Sequence, residues 1–153
     1  MPPFQRFMQE HGDAVWRLLL ANLPRQEAED CFQETFLAAL RAYEALSADA
    51  NERAWVLTIA HRKVIDAYRA RGRRALPMAE VPERAVPPPA PGGDEELWSR
   101  VRALPPKQRA AVTLRFVGDL AHAEVAQALG CSEEAARRSL HEGLTRLRRE
   151  VTK

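Results

Sequence analysis

The chain has 153 residues, 46% of them hydrophobic and 29% charged, with a net charge of +2, a balance that excludes a disordered tail and suits one ordinary globular domain or two small ones. Its apolar runs are short, the stretch 15–20 being broken by Arg17, against the ~20 residues a bilayer requires, so no membrane insertion is expected. The start, Met1-Pro2-Pro3-Phe4, lacks the basic and apolar segments of a secretory leader, which makes the cytoplasm the expected location.

Phe4, Phe7, Met8, His11, Val15, Leu18 and Leu19 recur at helical spacing and predict a first helix that ends near Asn22-Leu23-Pro24. A second stripe, Ala28, Cys31, Phe32, Thr35, Ala39, Leu40 and Tyr43, predicts a helix over 25–46 that stops in the polar stretch 47–51. Its opposite face carries Glu27, Asp30, Gln33, Glu34, Arg41 and Glu44. A third helix is expected over 52–71, with Leu57, Ala60, Val64, Ala67 and Tyr68 inward. Trp55, Ile59, Arg62, Asp66, Arg69 and Arg73 then share a neighbouring stripe at steps of three and four. Residues 62–74 hold six bases, Arg62, Lys63, Arg69, Arg71, Arg73 and Arg74, against the one acid Asp66, so a nearly neutral chain contains an oriented basic patch.

Residues 76–93 include six prolines and two glycines, which forbids a regular helix and reads as a linker. Extended, it reaches ~55 Å, more than one DNA turn of ~34–36 Å, so its flanks can engage separate sites. Beyond it, Asp94-Glu95-Glu96 supplies acids at a helix N-terminus, followed by Leu97, Trp98, Val101 and Leu104. Pro105-Pro106 separates that helix from one carrying Ala110, Ala111, Val112, Leu114 and Phe116, closed by Gly118-Asp119. A short helix over 121–129, the turn Gly130-Cys131-Ser132 and a long helix over 133–151 form a helix-turn-helix pattern. Gly130 suits a left-handed turn and Ser132 an N-cap. Ala136, Leu140, Leu144, Leu147 and Val151 make an inward spine that leaves Glu134, Arg137, Arg138, His141 and Arg148 outward. Arginine is the side chain best suited to a guanine edge or a phosphate.

Several blander assignments stand beside these. Trp55 reads equally as a core tryptophan, and the two roles are compatible. Asp66 lies four residues after Arg62 and three before Arg69, so a surface ion pair worth ~0.2–0.5 kcal/mol is expected there. Asp30 and Glu34 have no converging histidine, ligand set or apolar pocket and read as a protein-binding face rather than an acid-base pair. Cys31 and Cys131 have no paired spacing and read as buried thiols, and His11, His61, His122 and His141 are scattered. No metal site, cofactor or catalytic residue is expected, and the chain does not read as an enzyme.

The segment 28–41, with Glu29-Asp30-Cys31-Phe32-Gln33-Glu34-Thr35 at its centre, and the segment 53–69, with Arg53-Ala54-Trp55-Val56-Leu57 and His61-Arg62-Lys63-Val64-Ile65-Asp66, resemble region 2 of the compact sigma factors of bacterial RNA polymerase, the extracytoplasmic-function group. Leu104-Pro105-Pro106-Lys107-Gln108-Arg109 and the phrase from Ala123 to Ser132 resemble the same family's region 4. The resemblance implies an all-α fold of two small helical domains, region 2 over 1–75 and region 4 over 94–153, joined by the proline-rich linker over 76–93. It implies that Asp30, Gln33, Glu34 and Arg41 dock on core polymerase, and that Asn51, Trp55, Arg62, Arg69 and Arg73 face the minus 10 element. There the family holds melted, flipped bases, which aromatic stacking stabilises by ~1–3 kcal/mol per base. Ser132, Glu134, Arg137, Arg138 and His141 would lie at the minus 35 duplex. The chain departs from the family at Ser139 and Glu142, where bases are common, and at Ala121, where a capping Ser or Thr is common. The implied partners are core RNA polymerase, promoter DNA and an anti-sigma factor. The alternative is a sigma-derived helix-turn-helix regulator that binds duplex DNA without directing initiation.

Overall fold

A computed structural model of the chain describes residues 3–74 and 95–152, with the side chains of 73, 74 and 150–152 outside the description. The expected linker over 76–93 therefore lies outside the described residues, as does the side chain of Val151. Every regular element among the described residues is helical: α1 (Pro3–Asn22), α2 (Arg25–Ala42), α3 (Glu52–Arg74), α4 (Glu95–Arg102), α5 (Pro106–Val112), α6 (His122–Leu129) and α7 (Glu133–Thr152). Pro24 and Pro105 precede α2 and α5, where their missing N–H groups cost nothing.

The first three helices form a packet around Phe7, Val15, Leu18, Leu19, Phe36, Val56 and Leu57. The last four form a second one in which α5 and α6 both pack on α7. Gly130 takes φ +70° and Ser132 Oγ accepts the amide of Ala135 at 3.0 Å, so the helix-turn-helix is built as its sequence predicts. The missing cap at Ala121 is half compensated, because Glu124 Oε1 reaches back to the Ala121 amide at 2.9 Å.

Four expectations change. The helix predicted over 25–46 ends at Ala42 and tightens into a 3₁₀ turn, Tyr43–Ala45. The helix after Pro106 widens into a π turn over Thr113–Val117 before Gly118, and Asp119 follows at φ 58°. Met8, Leu40 and Leu97, placed on apolar stripes, are exposed, as is Phe116, while Phe36 is buried in place of Leu40. Ala28, Cys31, Thr35, Phe36 and Ala39 are the buried residues of α2, with Phe32 packed beside them, and Leu40 falls outside that arc. Cys131 is exposed, whereas Cys31 is buried as expected.

The two packets share one continuous core. Asn22 Nδ2 donates to Thr113 Oγ1 at 3.2 Å, Arg53 Nε to the Gly118 carbonyl at 2.7 Å, and the Arg109 guanidinium lies 4.6 Å from the centre of the Tyr68 ring. The approach is close enough that a Cβ at Gly118 would meet Leu57 Cδ1 of the first packet at 3.0 Å.

His61 is buried in α3, and burial first, then the charge of Arg62, hold its pKa below the ordinary 6.5. The unfolded chain thus takes up a proton that the folded chain refuses. The stability His61 contributes is complete above its unfolded pKa and is lost as pH falls toward the folded value. Denaturant midpoints should therefore drop as pH falls below the ordinary histidine value of 6.5. In His61→Gln the drop should be shallower, and equal slopes in the two proteins would remove His61 as a source.

Candidate functional site

On α2 the residues assigned to protein docking, Asp30, Gln33, Glu34 and Arg41, are all exposed. Two exposed leucines, Leu37 (52%) and Leu40 (53%), stand among them, Leu37 at steps of three and four from Gln33, Glu34 and Arg41 and Leu40 two turns from Gln33. Apolar side chains ringed by charge are the usual make-up of a protein-binding patch. The sequence reading missed Leu37, although the steps 30, 33, 34, 37 and 41 carry its signal.

Beside this face, Glu27, Asp30, Glu34, Lys63 and Asp66 line a recess between α2 and α3, with the Cys31 thiol at its floor. Burial, followed by the charges of Glu34, Glu27 and Asp30, pushes that thiol up to about 11. Asp66 turns into this recess. The ion pairs expected from it to Arg62 and Arg69 are absent among the described residues, because its side chain faces α2 rather than along its own helix. Arg71 reaches across the recess edge to Glu27 Oε1 at 2.7 Å.

On α3 Trp55 serves the core as well, its ring meeting Phe7 edge-on at 5.7 Å. Its other side opens, with Ile59 and Arg62, onto a cavity of about 450 Å³ beneath Asn51. Asn51 Oδ1 caps α3 by accepting the Ala54 amide at 3.0 Å, and Asn51 Nδ2 donates to Glu124. Arg62 and Arg69 are exposed along the same side. The side chain of Arg73 lies outside the described residues. The arrangement offers an aromatic edge, an amide and a line of cations, the groups that bind unpaired bases and their backbone.

Ser132, at the N-cap of α7, and Glu134, Arg137, Arg138 and His141 along it are all exposed. Ser132 Oγ is occupied as the N-cap, and Arg137 pairs with Glu133 at 2.7 Å, so its guanidinium is already engaged. At the junction of α1 and α3, Glu10, His11 and Glu52 bring donor atoms within 4.8 Å of one another. His11 Nδ1 is buried without the outer acceptor that a metal-bound histidine normally has, so its 3.4 Å contact with Glu52 is read as a hydrogen bond. Among the described residues no helix is long and apolar enough to cross a membrane.

A family model described as sigma-70 region 2 matches residues 7–74, and one described as sigma-70, region 4 matches residues 94–147. The ECF RNA polymerase sigma factor BldN of Streptomyces coelicolor is 32% identical over 86% of this chain and 54% of its own length, so the chain spans about half of that relative. RNA polymerase sigma factor CarQ of Myxococcus xanthus is 28% identical over 94% of this chain and 92% of CarQ. Among solved structures, the sigma factor RpoE from Bartonella quintana, in complex with the anti-sigma factor NepR, matches with a TM-score of 0.82 at 19% identity, over 97% of this chain and 95% of that one. At that identity the likeness is one of fold.

Proposed function

The chain belongs to the extracytoplasmic-function group of the sigma-70 family, and on that premise we propose that it is a dissociable initiation subunit that gives RNA polymerase its promoter choice. Core polymerase docks on the α2 face at Asp30, Gln33, Glu34 and Arg41. The stripe from Asn51 through Trp55 and Arg62 to Arg69 and Arg73 holds the melted minus 10 strand. The outer face of α7, at Ser132, Glu134, Arg137, Arg138 and His141, reads the minus 35 duplex. The covalent chemistry belongs to core polymerase, and the chain works in the cytoplasm. An anti-sigma factor that holds it between rounds of use is the further partner of this reading. Region 2 occupies 1–75, a linker 76–93 and region 4 94–153.

What carries the reading is the presence in one chain of an exposed acidic and leucine-bearing face on α2 and an aromatic-basic stripe on α3. A regulator that only binds duplex DNA has no use for the first of these. Replacing both Arg62 and Arg69 with alanine should slow open-complex formation by roughly tenfold or more, each phosphate or base contact contributing ~1–2 kcal/mol. Duplex binding through α7 should stay within about twofold, since those contacts are made elsewhere. Permanganate footprinting of melted thymines and duplex gel shifts separate the two effects. Normal melting by the double variant would return the stripe to packing.

A further inference from the structure

The proposed function gives Arg137 to the minus 35 duplex, and its guanidinium already has a partner on its own helix. Arg137 Nε donates to Glu133 Oε2 at 3.2 Å, and Nη2 donates to the same oxygen at 2.7 Å. Both bonds lie along the side of the guanidinium that Nε shares with Nη2. Arginine carries five N–H donors in a rigid plane. The donors left over, on Nη1 and on the outer hydrogen of Nη2, form the end-on fork, which matches two acceptors set side by side. Both residues are exposed and stand one helical turn apart, so the pair adds little to stability. What it fixes is the direction of the fork.

We propose that Glu133 is a positioning residue for promoter reading: it turns Arg137 end-on toward one guanine of the minus 35 element, whose O6 and N7 accept the remaining fork. The inference rests on the initiation-subunit reading. Guanine is the base whose major-groove edge offers two neighbouring acceptors. A phosphate suits this guanidinium less well, because the Glu133 carboxylate offsets part of its charge and repels a second anion. Arg138 beside it is exposed and forms no ion pair among the described residues, so its full charge suits the backbone. Arg137 also stands in the second turn of α7, whose first turn is fixed by the Ser132 cap on the Ala135 amide at 3.0 Å. The N-terminal part of such a helix is the part that meets base edges.

The test starts from a promoter recovered by transcription of genomic fragments with the full-length chain and core polymerase. Its minus 35 element is randomised, fragments bound by each holoenzyme at one salt concentration are sequenced, and circular dichroism checks the fold of every variant. The wild-type chain should enrich guanine in one column, and Arg137→Ala should erase that column alone. Glu133→Ala should lower the guanine preference in the same column by roughly fivefold or more, the lower end of what a bidentate contact discriminates. Glu133→Gln should fall between, because both bonds end on one oxygen and the amide keeps one. Binding of Glu133→Ala to duplex of unrelated sequence should strengthen, since an acid beside the phosphates is gone. A guanine column left intact by Glu133→Ala overturns the proposal, as does its loss together with weaker binding to unrelated duplex, the mark of a damaged helix. Uniform weakening of all columns by Arg137→Ala, the pattern of a phosphate contact, overturns it too. Each of these results leaves the initiation reading intact. If Glu133→Ala loses helicity, Glu133→Gln decides by the same column, a lowered preference supporting the proposal and an intact one overturning it. Failure of the wild-type chain to recover any promoter with core polymerase overturns the initiation reading and the proposal with it.

Discussion

Asp30→Lys combined with Glu34→Lys is expected to weaken binding to core polymerase by roughly a hundredfold or more, since truncating one side of a buried interfacial charge pair costs ~2–5 kcal/mol and reversal adds repulsion. The fold should survive. Both side chains are exposed, the inward arc of α2 is filled by Ala28, Cys31, Thr35, Phe36 and Ala39, and lysine is as good a helix former as glutamate. Glu27 keeps its pair with Arg71, so the α2–α3 contact at that edge is preserved. An internal reporter accompanies the change. Asp30 and Glu34 both raise the Cys31 thiol, so the double variant should titrate that thiol below about 11. Fluorescence titration with core polymerase, with circular dichroism as the folding control, measures the effect. Undiminished binding by a folded variant whose thiol pKa has dropped would remove the docking assignment from this face.

Leu57→Ala should destabilise the chain by ~2–5 kcal/mol, the range for deleting a fully enclosed leucine. Leu57 is 0% exposed and serves two packings at once, the α1–α2–α3 packet and the close approach of Gly118 from the second packet. The surrounding helices are tied to one another on several sides, which limits their collapse into the cavity. Leu37→Ala, on the exposed side of α2, removes the same atoms and should stay within ~0.5 kcal/mol. Urea unfolding of the two variants compares them directly. A Leu57→Ala loss below about 1 kcal/mol would mean that the site relaxes freely and that the two packets are not cemented there.

Local features were legible and long-range ones were not. Gly130 and Ser132 announce the turn between α6 and α7 because left-handed backbone and N-capping depend on a few neighbouring residues. The α1 stripe, Met8 excepted, likewise follows from spacing alone. Leu40 was placed on the inward stripe because periodicity cannot separate an apolar residue held for a partner from one held for the core. The π turn over Thr113–Val117 has no local signal, and the direction of Asp66 depends on which helix lies beside it. The closure of the two packets is the largest item out of reach of the sequence. Its contacts join Asn22 to Thr113, Asn51 to Glu124 and Arg53 to Gly118 across more than sixty positions in each case, and a proline-rich stretch permits both joined and separate packets. For the candidate site, the residue types and their stripes were legible, but the commitments that keep them occupied, Asn51 by Glu124 and Arg137 by Glu133, were not.

The central claim, that this chain confers promoter choice on RNA polymerase, is tested most directly by in vitro transcription with purified core polymerase over a pool of genomic promoter fragments, with and without the protein. Transcripts that start at defined sites only when the protein is present are the predicted result, and their aligned starts give the promoter motif. Binding to DNA without association with core polymerase and without transcripts would contradict the claim, and would leave the α2 face without a function.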